Sequence, residues 1–143
     1  MIREASIKDI EKISEIEKEW ENYPLWGVNG FEKEFEKKYS KTFVYEDNGI
    51  WGFVNIWDLG EEIEINTIAV DKNKVKRGIG SALLDYIIDY SYKRKAKRIL
   101  LEVNEENLKA IKLYQKKGFV IYNKRKKYYD LKYDALLMKK EII

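Results

Sequence analysis

The stretch Ile68-Ala69-Val70-Asp71-Lys72-Asn73-Lys74-Val75-Lys76-Arg77-Gly78-Ile79-Gly80-Ser81-Ala82-Leu83-Leu84 decides how the chain is read. It opens as a short apolar run of strand type and passes through a basic turn. It then continues with Leu83, Leu84, Ile87 and Ile88 at a 3.6-residue period. Strand, turn and helix therefore meet at Gly78 and Gly80. Glycine lets the main chain approach a ligand closely, and the unpaired N–H groups of a first helical turn point at whatever anion sits there. Lys76 and Arg77 add positive charge to the same turn. The spacing is not the Gly-x-x-x-x-Gly-Lys-Ser/Thr of a nucleotide phosphate loop, and the third glycine of a dinucleotide fold is missing. Two readings stay open at this level: an anion site, and a tight turn that packs a helix onto a sheet.

On the N-terminal side, Ile2 to Ala5 alternates as a strand. Ser6 with Asp9 three residues on forms a helix start, after which Ile7, Ile10, Ile13, Ile16 and Trp20 recur at helical spacing. Beyond the loop Asn22 to Gly27, Phe31, Phe35 and Tyr39 predict a second amphipathic helix capped by Asn29. Thr42 to Glu46 and Ile50 to Trp57 flank the turn Asp47-Asn48-Gly49, and Glu62 to Ile65 alternates before Ile68-Ala69-Val70, so three antiparallel strands are expected. On the C-terminal side, the helix from Gly80 runs into Lys93-Arg94-Lys95, and a buried strand follows at Arg98 to Val103. A helix opened by Asn107 turns Ala110, Ile111, Leu113 and Tyr114 inward and stops at Gly118. Phe119 to Asn123 and Leu136 to Lys140 read as final strands joined by a polar connection, Lys124 to Asp134. The order β-α-α-β-β-β-α-β-α-β-β predicts an α/β (α+β) fold, a mixed sheet with helices on its faces.

The chain of 143 residues, 45% hydrophobic, suits one domain over residues 1–143. It contains no Cys and no His, which removes thiolate nucleophiles, Ser-His-Asp triads and Cys or His metal sites; no metal is expected. Any catalysis must rest on carboxylates, Tyr, Lys, Ser or main-chain groups. No apolar run approaches the roughly 20 residues of a membrane span, and Met1 to Ser6 lacks the apolar stretch of a signal peptide, so a cytoplasmic protein is expected. Residues 1–71 hold 8 Lys and Arg against 17 Asp and Glu, whereas residues 72–143 hold 20 against 8. The basic half suits a polyanionic ligand, either a nucleotide phosphate or a nucleic acid.

A second constellation spans Leu101-Glu102-Val103 through Asn107, Ala110, Leu113, Tyr114, Gly118 and Phe119. Together with the glycine turn it resembles the GNAT acetyltransferase superfamily. That family's first motif reads Gln/Arg-x-x-Gly-x-Gly/Ala, and its second commonly reads Asn-x-x-Ala-x-x-Leu-Tyr-x-x-x-Gly-Phe. Val75 stands where Gln or Arg usually stands. Within the superfamily the chain is most similar to ribosomal-protein-alanine N-acetyltransferases and archaeal N-terminal acetyltransferases. The likeness rests on Leu101-Glu102-Val103, the basic stretch ending in Tyr128-Tyr129, and Asp134-Ala135-Leu136-Leu137-Met138.

The resemblance implies a GNAT fold, a mostly antiparallel sheet of about seven strands flanked by four helices. It implies acetyl-CoA as cosubstrate, with Ile68, Ala69 and Val70 along the acetyl and pantetheine arm. Lys76, Arg77, Gly78, Ile79, Gly80 and Ser81 would hold the pyrophosphate, and Asn107 would bond the pantetheine. Glu102 is implied as proton acceptor and Tyr114 as proton donor. The acceptor it implies is the N-terminal α-amine of a protein, such as a ribosomal protein, bordered by the Tyr23-Pro24-Leu25-Trp26 loop and the Tyr128 to Asp134 connection.

Each role has a structural counterpart that the residues alone leave open. Glu102 could face solvent at a strand end or pair with a Lys, Tyr114 could be a core aromatic, Asn107 a helix cap, and Ser81 a local cap. Glu61, Glu62 and Glu64 could line an acceptor groove or give their strand a wet face. Acetylation of a small amine or a lysine side chain is a second enzymatic reading. A third is a non-catalytic module that senses acyl-CoA or docks RNA through Lys93 to Arg98 and Lys124 to Lys127, with Tyr128 and Tyr129 as stacking aromatics. No recognised RNA motif is present, so direct nucleic-acid binding is not expected.

Overall fold

Seven strands form one sheet: β1 (Ile2–Glu4), β2 (Ser40–Glu46), β3 (Ile50–Asp58), β4 (Glu62–Val70), β5 (Arg98–Asn104), β6 (Val120–Tyr129) and β7 (Tyr133–Glu141). Their spatial order is β1-β2-β3-β4-β5-β7-β6, with β4 and β5 parallel and the other neighbouring pairs antiparallel. The computed structural model describes residues 1–20, 25–129 and 132–143. Among these, four α-helices flank the sheet: α1 (Ile10–Lys18), α2 (Gly27–Phe35), α3 (Ile79–Lys93) and α4 (Leu108–Lys116). Element order and fold class agree with the expectation from sequence.

The two faces of the sheet bury separate cores. On one face Ile63, Ile65, Ile99, Leu101, Val103 and Met138 pack against Ile79, Leu83, Leu84 and Ile87 of α3 and Ile111 and Tyr114 of α4. On the other, Val44, Phe53 and Ala69 meet Ile10, Ile13 and Ile16 of α1 and Phe31 of α2. Burying one such side chain contributes about 1.5–3 kcal/mol, which is why these positions set the register.

One irregularity in the sheet sets the geometry of its centre. In the β3–β4 ladder Asn55 faces Thr67 and Ile56 faces Ile65, so Asn66 is an extra residue bulging from β4. The bulge inverts the alternation, which puts Ile68 and Val70 on the same face as Ile63 and Ile65. Its position is held by a chain of polar side chains. Asn66 Nδ2 donates to Asn55 Oδ1 at 3.0 Å, and the buried Asn55 Nδ2 donates to Ser40 Oγ and Thr42 Oγ1, each at 3.0 Å. The parallel ladder between β4 and β5 ends where the bulge begins, at Ile65 opposite Leu101. Beyond it β4 pairs with β3 alone and β5 with β7 alone, so the sheet forks.

Four expectations need correction. Asn29 does not cap α2; the helix starts at Gly27 and Asn29 lies inside it. The buried carboxylate of Glu17, on α1, accepts the N–H groups of Trp26 at 2.8 Å and Gly27 at 3.0 Å, so the helix start is capped by another helix. Tyr39 falls outside α2 and packs edge-on to Trp57 at 5.3 Å. Ile7, expected on the inner face of α1, is exposed in a 3-10 turn (Ile7–Asp9). Finally, the polar stretch from Lys124 is strand as far as Tyr129, not a connection. It lies on the sheet edge with residues 120–127 all exposed, so no face had to be apolar, and its Lys and Arg side chains suit an unpaired edge.

Candidate active site

The basic turn and the start of α3 lie on the α3 and α4 face, directly after β4. Asp71 ends the strand by accepting the Asn73 N–H at 2.9 Å, and a short 3-10 turn (Lys72–Lys74) leads to Gly78. Gly78 caps α3 with φ of 77°, a left-handed conformation that strains any side chain with a Cβ. Gly80 is different. A Cβ there would stand 3.8 Å from Val70 Cγ2 of β4 and from Leu113 Cδ2 of α4, an ordinary contact. Protein packing therefore does not require a glycine at this meeting point of three elements, and a ligand lying close to the main chain would. Among the described residues the side-chain cations of Lys72, Lys74, Lys76 and Arg77 have no carboxylate partner, although the Lys72 main-chain N–H donates to Glu19 Oε1 at 3.2 Å. Instead Lys74 Nζ and the Arg77 guanidinium lie over the Trp51 ring, at 4.5 and 5.3 Å, and Lys72 Nζ lies 4.9 Å from that of Trp20. Cations laid on aromatic faces beside open helical N–H groups favour the anion-site reading of the turn.

The second constellation follows β5, the other arm of the fork. Asn107 caps α4, its Oδ1 accepting the Ala110 N–H at 3.3 Å, while the residue itself remains exposed. At the far end of α4 the Phe119 N–H donates to the Tyr114 carbonyl and the Gly118 N–H to that of Gln115, at 2.9 and 3.0 Å. Gly118 sits in this C-terminal lock with φ of 97°, and the Phe119 ring packs 5.9 Å from that of Tyr114. Tyr114 is thus held in the α3 and α4 core.

Glu102 is the first residue of β5 past the last β4 pair, and its neighbours Leu101 and Val103 point into the α3 and α4 core. Alternation sends Glu102 to the opposite face, with Glu62 and Glu64 of β4. There Arg125 Nη2 lies 3.0 Å from Glu102 Oε1, so the carboxylate is neither solvent-facing alone nor paired with a Lys. Glu62 is held by Arg98 Nη1 at 3.0 Å. Glu64 has its pKa pushed up, first by burial and then by the charges of Glu62 and Glu102. The Ile68 and Val70 side chains, the Lys76 to Ser81 turn, the Asn107 cap of α4 and Tyr114 thus belong to the α3 and α4 face, whereas Ala69 packs with α1 and α2 and Glu102 points to that opposite face.

Arg125 and the bulge at Asn66 were not identified from sequence. The bulge has a legible signal, the apolar spacing of two, three and two through Ile63, Ile65, Ile68 and Val70. Arg125 has none, since it is one of four consecutive basic residues. Of the segments expected to border the acceptor, Tyr23, Pro24, Asp130 and Leu131 lie outside the described residues, as do the Tyr128 and Tyr129 side chains. Among the described residues no group of three His, Cys, Asp or Glu side chains could hold a metal ion, and no helix is long and apolar enough to cross a membrane.

A forked mixed sheet with a glycine-bearing basic turn at its mouth defines an N-acetyltransferase. The sequence model of the Acetyltransferase (GNAT) family matches residues 6–119, and the chain belongs to that family. It is 30% identical over 116 residues to the ribosomal protein bS18-alanine N-acetyltransferase of Escherichia coli strain K12, covering 79% of this chain and 78% of the relative. The crystal structure of the Escherichia coli ribosomal-protein-S18-alanine N-acetyltransferase superposes with a TM-score of 0.91 at 28% identity, over 99% of this chain and 93% of that one. Ard1 from Thermoplasma volcanium superposes with a TM-score of 0.85 at 29% identity, over 100% and 97% of the two chains.

Proposed function

We propose that this enzyme acetylates the N-terminal α-amine of a protein, a ribosomal protein of the bS18 type, using acetyl-CoA. The observation that carries the reading is the fork between Ile65 and Leu101. It joins a phosphate-binding turn on one face to a carboxylate, Glu102, on the other, so two substrates can meet through the sheet. Acetyl-CoA supplies an acetyl thioester. The open space beside Gly78 and the carboxylate-free cations of the turn fit its pyrophosphate, with Lys76, Arg77, Ile79, Gly80 and Ser81 completing the cradle. The main chain of Ile68, Ala69 and Val70 has no strand partner on the fork side and can bond the pantetheine arm, as can Asn107.

An α-amine has a reference pKa of about 7.7–8.0, so roughly a tenth is neutral at pH 7 and the base has modest work to do. Glu102 accepts the ammonium proton, directly or through a water, and frees the lone pair for attack on the acyl carbon. The new C–N bond forms as the C–S bond breaks, and Tyr114 gives its phenolic proton to the departing sulfur. With no Cys or His in the chain, direct attack is favoured over an acyl-enzyme. The test is a panel of peptides differing in their first residue, incubated with acetyl-CoA and analysed for the site of acetylation. Transfer to the α-amine, strongest for an Ala-led peptide, is the expected result; transfer to lysine side chains or small amines alone would refute the reading.

A further inference from the structure

We propose that Glu64 is the carboxylate that holds the acceptor's ammonium group, forming one wall of an amine pocket completed by Glu102. The proposal rests on the α-amine reading above and deepens it.

Three carboxylates share the face of the sheet opposite α3 and α4 at the root of the fork, Glu62 and Glu64 on β4 and Glu102 on β5. Two of them have a guanidinium. Arg98 Nη1 stands 3.0 Å from Glu62, and Arg125 Nη2 stands 3.0 Å from Glu102. Glu64 lies between these pairs, and among the described residues no cation reaches it.

Its surroundings withhold water as well as charge. In the ladder Glu64 stands opposite Trp57 of β3 and Leu100 of β5, an indole and an aliphatic side chain. The Trp57 Nε1 is already committed to Glu34 of α2 at 2.7 Å, and the nearby Lys37 ammonium is committed to Glu34 too. A half-buried carboxylate without a partner, in a chain with a surplus of Lys and Arg, is unfavourable unless something cationic completes it. Burial and the neighbouring Glu62 and Glu102 charges hold back its ionisation, and an arriving ammonium relieves all three effects at once. Neither guanidinium can substitute, since each is already engaged at 3.0 Å elsewhere. The acceptor amine, arriving on this face to reach Glu102, meets Glu64 on the way.

The test uses steady-state kinetics with acetyl-CoA and an Ala-led peptide, comparing wild type with Glu64→Gln and Glu62→Gln. A second assay measures competition by the same peptide with its α-amine replaced by hydrogen. Glu64→Gln is expected to raise the peptide KM by about 10- to 100-fold, the worth of a charge-assisted hydrogen bond, with a smaller change in kcat. It should also abolish the preference for the amine-bearing peptide over its des-amino competitor, while leaving acetyl-CoA affinity and Tm unchanged. Glu62→Gln, already neutralised by Arg98, should keep the peptide KM within about twofold. Should Glu64→Gln not fold, Glu64→Asp replaces it, and retention of the amine preference is then expected because the charge is kept. A peptide KM unchanged in Glu64→Gln, or an amine preference that survives it, overturns the assignment while the α-amine reading stands. Wild-type enzyme that acetylates no peptide N-terminus overturns both.

Discussion

Arg125 and Glu102 meet across β7: Nη2 of the one lies 3.0 Å from Oε1 of the other, although β6 and β5 are not neighbours in the sheet. The pair ties the edge strand of the C-terminal hairpin to the root of the fork. Both side chains are partly exposed, 50% and 31%, so the pair adds only about 0–1 kcal/mol to stability. Its consequence is directional, because it fixes where the Glu102 carboxylate points. Replacing Glu102 by Gln should lower kcat by about 10²- to 10⁴-fold with Tm little changed. Arg125→Ala should lower kcat less, since the carboxylate remains but is no longer aimed. Kinetics and thermal melts of both variants check this, and equal losses would contradict the aiming role.

Tyr114 carries two separable functions, a ring packed on Phe119 and a hydroxyl. Tyr114→Phe keeps the ring and should preserve acetyl-CoA affinity while lowering kcat by about 10²-fold or more. A thioester whose thiol leaves more easily should restore part of the loss. Tyr114→Ala, by contrast, should destabilise by about 3–5 kcal/mol as a cavity opens beneath α4.

The two glycines of the turn should separate stability from binding. Gly78→Ala forces a Cβ into φ of 77° and should cost about 1–2 kcal/mol of stability. Gly80→Ala has room against Val70 and Leu113 and gains helix propensity, so the fold should hold or gain up to about 1 kcal/mol. Its acetyl-CoA affinity should fall, because the methyl group occupies the space the pyrophosphate needs. Calorimetric titration with CoA and thermal denaturation distinguish the two.

Glu17 should matter for stability although it is far from the chemistry. Its carboxylate, 2% exposed as a residue, satisfies two N–H groups at the start of α2. Glu17→Ala leaves both without a partner and should destabilise by about 2–4 kcal/mol, whereas Glu17→Gln keeps one acceptor and should cost less. Hydrogen exchange should show the difference first at Trp26 and Gly27.

Acid sensitivity should trace to Arg3. Its guanidinium holds Asp9 at 2.9 Å and Glu46 at 2.9 Å, joining β1, the turn before α1 and the end of β2. The Asp9 pKa is lowered, mainly by the hydrogen bonds from Arg3 acting against burial. A carboxylate depressed on folding adds stability above the ordinary Asp pKa of about 4, and that contribution disappears as pH falls through the depressed value. Wild type should therefore melt well above Asp9→Asn at pH 7, and the gap should close on acidification below about pH 4. A gap that persists unchanged into acid would contradict this account.

The sequence by itself determined the element order, the fold class and the position of the glycine-bearing basic turn. These depend on local rules, the 3.6-residue period through Leu83 and Ile88, the capping of α4 by Asn107 and its stop at Gly118, and the glycines at the strand-to-helix turn. Short-range geometry is encoded residue by residue, so Lys76 to Ser81 could be picked out before any contact was known. Only the tertiary structure decided that Glu17 caps α2, that Arg125 pairs with Glu102, and that Glu64 is left without a cation among its described neighbours. Those facts join residues far apart in sequence, between elements brought together by burial of two apolar faces, and an exposed edge strand such as β6 carries no periodic signal to announce its partners.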